Sequence, residues 1–325
     1  MSGLWRGIAL AVARTAVTLL LASVVIFVLL RLVPGDPAQV ALGVDATPEA
    51  VAATRAHFGL DRPWVIQYGE WMGGLLTGHF GESFVSGQDL SAIILDRTNV
   101  TLWLVIPSVV LALLIAAVLG TWAALRRGKV DGFLITVGSQ LLMAVPGFLA
   151  GVLLVLLFSL ALGWLPPSGW VVPSDAFGPF LARLVLPVLA LTAVQAAILT
   201  RYVRSAVLDV SGADFLREAR AKGLSRSEAM LRHGLRNVAV PVLTVTGVQL
   251  SSLLVGAVVI ESVFDVPGVG SLLVEAVGQR DMVSIQGIVM VLVAFTVIVN
   301  LAVDLLQTLV DPRLRVSPRV SGAAA

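Results

Sequence analysis

Ala16-Val-Thr-Leu-Leu-Leu-Ala-Ser-Val-Val-Ile-Phe-Val-Leu-Leu30 carries no charge from end to end, with Arg6 and Arg14 ahead of it and Arg31 behind. Widened to about residues 9–31, it reaches the roughly 20 residues a helix needs to cross about 30 Å of hydrocarbon. The run is long for the apolar part of a secretory signal, and no A-x-A cleavage pattern follows it directly. Arg31-Leu-Val-Pro-Gly-Asp-Pro37 follows instead. The segment reads as a first, uncleaved membrane span.

Five more runs of this kind follow, at about 100–125, 133–162, 182–204, 238–260 and 284–310. Hydrophobic residues make up 58% of the 325 and charged ones only 13%. A soluble domain would carry about a quarter charged residues, so much of this surface does not face water. Helices satisfy their own backbone groups in lipid. A transmembrane barrel would alternate in short segments, and these runs do not. The expected fold is an all-α integral membrane bundle of six transmembrane helices, one domain over 1–325.

The links alternate in charge. Arg6 and Arg14, then Arg126, Arg127 and Lys129, then a loop of about 205–237 rich in Arg and Lys, then Arg313, Arg315 and Arg319 fall on one side if there are six spans. The other links carry most of the acids, among them Asp36, Asp45, Glu49, Asp61, Glu70, Glu82 and Asp89 in the long link 34–98. Positive charge marks the cytoplasmic side, so both termini are expected there. In the outer link, Trp64, Tyr68 and Trp71 recur at helical spacing, which suits either a short interfacial helix or a loop packed on the bundle.

The loop 205–237 contains Ser211-Gly-Ala-Asp-Phe-Leu-Arg-Glu-Ala-Arg-Ala-Lys-Gly-Leu-Ser225. Ser211 with Asp214, and again Ser225 with Glu228, stand at capping-box spacing. Gly223 suits a left-handed helix end. Two short helices with a tight glycine turn are predicted, the second ending before Pro241. Phe215, Leu216 and Ala219 form an apolar stripe on the first. Such a helix can lie on lipid, pack on its own bundle, or dock into another protein. Basic helix–turn–helix elements also bind DNA, but spans on both sides leave no room to enter a groove, so no nucleic-acid partner is expected.

Glu218-Ala-Arg-Ala-Lys-Gly-Leu-Ser225, then Leu231-Arg-His-Gly-Leu-Arg-Asn237 and Pro241, resemble the cytoplasmic signature, called the EAA loop, of ABC importer permeases of the dipeptide, oligopeptide and nickel group. The resemblance covers nearly the whole chain. Arg31-Leu-Val-Pro-Gly-Asp-Pro37, Phe58-Gly-Leu-Asp61-Arg-Pro63, Gly73-Gly-Leu-Leu76, Phe264-Asp-Val-Pro-Gly-Val-Gly270 and Val310-Asp-Pro-Arg-Leu-Arg315 are similar to family segments, and the opening resembles the B-type subunit of the pair. The sequence departs from the broad EAA pattern in placing Arg217, not Glu, six residues before Gly223.

The resemblance implies a type I importer permease in a bacterial inner membrane. It implies a heterodimer with a second, related permease, two ATP-binding cassette ATPase subunits inside, and a solute-binding protein outside. The segment around Asp214, Phe215, Arg217, Glu218, Ala219, Ala221, Lys222, Gly223 and Leu224 would be the coupling helix that meets an ATPase. Peptides are the implied solute, with nickel or another small solute as the alternative.

The chain carries no phosphate-binding loop, no metalloprotease motif and no nucleophile elbow. Neither catalytic nor metal-ligating residues nor a cofactor are expected. Polar residues inside spans are costly and often functional. Gln140, Gln195, Gln249 and Asn300 are candidates for a hydrated translocation path, or for hydrogen bonds between helices. Asp304, near the inner end of the sixth run, is placed to pair with an arginine. A secondary transporter would show ionisable groups at mid-membrane, whereas Glu261 and Asp304 lie near span ends.

Overall fold

A computed structural model describes residues 2–43 and 46–310, with side chains from residue 7 onward except at 41, 226, 309 and 310. Asp45, the Arg6 side chain, and the tail with Asp311, Arg313, Arg315 and Arg319 lie outside the described residues. Helices account for nearly all of the described chain, and its one β-bridge joins Glu82 to Asp89.

Five helices are long and apolar enough to cross a membrane. They are α1 (Ser2–Arg31), α5 (Leu90–Leu125), α8 (Phe177–Ser211), α11 (Leu235–Val263) and α13 (Met282–Val310). The third apolar run is not a single kinked helix. α6 (Val130–Met143) and α7 (Gly147–Leu154), which continues as a π-helical turn to Ala161, meet at 104°. Proline cannot supply the helical N–H and restricts the residue before it, so Val145-Pro146-Gly147 ends one helix and starts another. The pair is one broken span or a re-entrant loop.

α5 begins ten residues ahead of the predicted 100. Asp89 caps it, accepting from the Ser91 N–H at 2.9 Å, and the charged turn at Asp96-Arg97 stays helical. Pro107, Pro187 and Pro241 all sit inside continuous helices, so the second cytoplasmic helix does not stop before Pro241 as predicted.

α8 is the central helix, more than half of its apolar window buried, whereas α1 and α13 are mostly open on the outside. α5 meets α8 through Ala112, Ala116 and Gly120, small residues four apart that let two helices approach closely. A Cβ on Gly120 would stand 2.7 Å from that of Val203. Val105, Leu186, Leu253, Ile260 and Phe264 belong to the main core that joins α5, α8 and α11. α13 packs on α11 and carries α1 on its other side.

In the outer link, Asp36 caps α2 (Pro37–Leu42) and receives Arg55 of α3 (Pro48–His57), which also holds Asp61. α4 (Trp64–Thr77) is a helix and packs on the bundle. Tyr68 shares a 2.8 Å hydrogen bond with Ser23 and sits edge-on to Phe27, and Trp71 stacks on the same ring.

Candidate functional site

α8 ends at Ser211, whose hydroxyl donates back to the Val207 carbonyl at 2.6 Å. α8 stays helical through Ser211, so that hydroxyl is not in the extended position from which a cap accepts the next helix's N–H. The expected box with Asp214 does not form, and extended Ala213 begins α9 (Asp214–Ala221) without a side-chain cap. Asp214 instead occupies the first turn, where a negative charge suits the helix dipole, and pairs with Arg217 at 3.2 Å. Glu218 reaches Lys222 one turn on at 2.6 Å, which holds its carboxyl below the usual range.

The end of α9 is a Schellman motif. The Gly223 N–H donates to the Arg220 carbonyl and the Leu224 N–H to that of Ala219, with Gly223 at φ +97°. The second box is complete. The Ser225 hydroxyl and N–H both donate to the Glu228 carboxylate, and the Glu228 N–H returns to the Ser225 hydroxyl. α10 (Arg226–Ala229) then passes through a π-helical turn, Met230–Gly234, straight into α11. The candidate span Ser227–Val263 is thus one uninterrupted rod.

The apolar stripe of α9 divides. Leu216 and Ala219 are buried in a cluster with Ala124, Val207 and Met230, so they belong to this chain's own packing. Phe215 is 40% exposed. With it on the outer face are Asp214, Arg217, Glu218, Ala221, Lys222 and Gly223, while Leu224 is half-buried.

Of the four in-span amides, two are in contact. Gln249 Nε2 donates to Gln195 Oε1 at 3.4 Å, joining α11 to α8. Asn300 lies against α11, its Oδ1 3.2 Å from where a Cβ on Gly247 would stand. Gln140 is exposed on α6, apart from the others. Asp304 pairs with Arg14, fastening α13 to α1.

Two buried acids form the polar knots that sequence reasoning missed. Glu261 is fully buried at the end of α11. It accepts from the Thr101 hydroxyl of α5 at 2.5 Å and from the Ser271 N–H of α12 (Val269–Gly278) at 2.9 Å. A Cβ on Gly268 would come within 2.1 Å of its carboxylate. Asp281 accepts from the hydroxyls of Ser83 and Ser284 at 2.5 and 2.6 Å, tying the outer link to the start of α13. The available signal was a carboxylate three residues ahead of Phe264-Asp-Val-Pro-Gly-Val-Gly270. Glycine there leaves room for the carboxylate itself.

Comparison with known proteins places these features in a family. The model of the binding-protein-dependent transport system inner membrane component matches residues 116–316. The model of the N-terminal part of such membrane components matches residues 5–105. A protein of Brucella abortus (strain 2308), named for a peptide transport system permease, is 38% identical over 305 residues, covering 94% of this chain and 97% of its own. A glutathione transport system permease protein of Salmonella typhimurium is 38% identical over 298 residues, covering 92% and 95%.

Proposed function

This chain belongs to the binding-protein-dependent transport system inner membrane components, and from that premise we propose that it is the B-type subunit through which an ATP-driven importer moves peptides. It is a membrane permease subunit of the ABC importer class. The names of its relatives, peptide transport in Brucella and glutathione transport in Salmonella, favour a short peptide as solute.

The observation that carries the coupling role is the placing of Phe215. It stands exposed on α9, whose Leu216 and Ala219 are spent inside its own bundle. A Schellman turn and a closed capping box join α9 to the rod that becomes α11. An ATPase that grips α9 would therefore pull on a span directly. In this reading ATP hydrolysis lies in two separate ATPase subunits, a second permease completes the pore, and an outer binding protein delivers the solute. Both chain ends face the cytoplasm.

The test is reconstitution of this chain with its partner subunits in liposomes. Peptide presented with the binding protein should raise ATP hydrolysis and accumulate inside, and omission of the second permease should abolish both. Uptake driven by an ion gradient without ATP, or full uptake with this chain as a homodimer, would overturn the proposal.

A further inference from the structure

The turn from α5 to α6 borders a cavity of about 390 Å³ whose charged lining is entirely cationic: Arg127, Lys129 and Arg204. Asp131, the acid on the same turn, is engaged elsewhere, with Arg126 at 3.5 Å and with the Trp122 indole N–H at 3.0 Å. The Nε of Arg204 is buried and has no hydrogen-bond partner. A buried donor left unmet costs stability, and like charges around one hollow repel. Arg204 is half-buried, with its Nε closed off from water.

The surroundings narrow the ligand. α6 starts at this cavity, and the Asp131 carboxylate in its first turn accepts the Gly132 N–H at 3.0 Å, so the three cations and not the helix end supply the positive charge. Its rim is apolar, with Val130 at 74% and Phe133 at 64% exposure. That rim continues onto α6 at exposed Leu134. A charged head at the end of an apolar helix face fits an amphiphile better than an acidic protein segment. Basic pockets at the ends of membrane helices hold anionic head groups in this way.

We propose that this cavity binds the phosphate of an anionic membrane lipid, whose acyl chains lie along the exposed first turns of α6. The charge pattern places the site in the inner leaflet, and the site is independent of what the importer carries.

The experiment is native mass spectrometry of the purified complex in detergent, titrated with phosphatidylglycerol. Phosphatidylcholine and inorganic phosphate serve as competitors. The double variant Arg127→Gln, Lys129→Gln changes only exposed side chains, so folding is not at stake. It should raise the phosphatidylglycerol concentration for half-occupancy about thirtyfold. Arg201→Gln, a cation outside the cavity, should leave it unchanged. Neither competitor should displace the bound lipid.

Unchanged lipid retention in the double variant would overturn the proposal. Displacement by inorganic phosphate would make this a free-anion site, and loss of a co-purifying subunit with lipid adducts intact would make it a protein contact. Either result refutes the lipid assignment. Lipid occupancy is read without any transport assay, so an error in the proposed solute would leave these outcomes untouched.

Discussion

Thr101 on α5 and Glu261 on α11 are joined through a hydroxyl that serves two helices at once: it donates to the carboxylate at 2.5 Å and accepts the Val269 N–H of α12 at 2.9 Å. α5, distant in the chain, is locked to the consecutive α11 and α12 at one buried point. Removing one member of such a network leaves its partners unmet.

Glu261→Ala should therefore lower the apparent melting temperature of the purified protein by on the order of 5 °C. Gly268→Ala should do the same by collision, because its new Cβ would enter the carboxylate's space. The double variant should cost less than the two singles added, since each change relieves the other. Thermal unfolding in detergent, followed by size-exclusion chromatography, reads all three. Strict additivity would show that the two sites do not touch.

The two apolar residues at the start of α9 should fail in different ways. Phe215→Ala should weaken ATPase binding by about 2 kcal/mol, roughly thirtyfold, and leave thermal stability alone. Leu216→Ala should instead cost about 2–3 kcal/mol of stability, as for a buried leucine. Co-purification of the ATPase and a melting curve separate them. Normal ATPase association in Phe215→Ala would return α9 to a membrane-surface turn.

Arg14 and Asp304 make a further pair whose exchange is informative, since it holds α1 on α13. Asp304→Arg alone places two cations together and should reduce the folded yield. Adding Arg14→Asp should restore it. Fluorescence-detected chromatography of the two variants beside the unaltered protein decides, and a double variant no better than its parent would deny the pair a role.

The proposed topology can be read by labelling, because the chain has no cysteine. Ser83 would be a poor probe, being buried against Asp281. Ser86 and Ser227 are exposed. A membrane-impermeant maleimide should reach Ser86→Cys in intact spheroplasts and Ser227→Cys only after permeabilisation. The reverse pattern would invert the bundle.

Much of the architecture was legible because hydrocarbon imposes length. The Gly223 turn and the Ser225–Glu228 box were equally plain, as each depends on residues within one helical turn. Ser211 misled, since its spacing to Asp214 fits a cap but says nothing of α8 running on through it, which leaves extended Ala213 to start α9. The division of the α9 stripe depends on where Met230 and Val207 stand, and no local pattern states that. Glu261 was passed over because a position near a span end suggests water. What buries it is α12 folding back over the end of α11, a tertiary event carried by glycines that admit the carboxylate.

The 104° corner between α6 and α7 fixes the azimuth of the whole subunit. At about 1.5 Å per residue, the 14 residues of α6 rise only about 21 Å, short of the roughly 30 Å thickness of hydrocarbon. The corner therefore lies at depth. Ala144 and Val145 turn their N–H groups back to Leu141 and Leu142, and the ladder lapses at Pro146. Acyl chains offer nothing to a peptide group set free, so irregular backbone at depth borders protein or water. Ala144 and Pro146 are exposed on the isolated chain, which leaves that side to be sealed by a neighbour or wetted by the passage. Of all the bearings this bundle could take about the membrane normal, only those that turn the corner away from lipid remain.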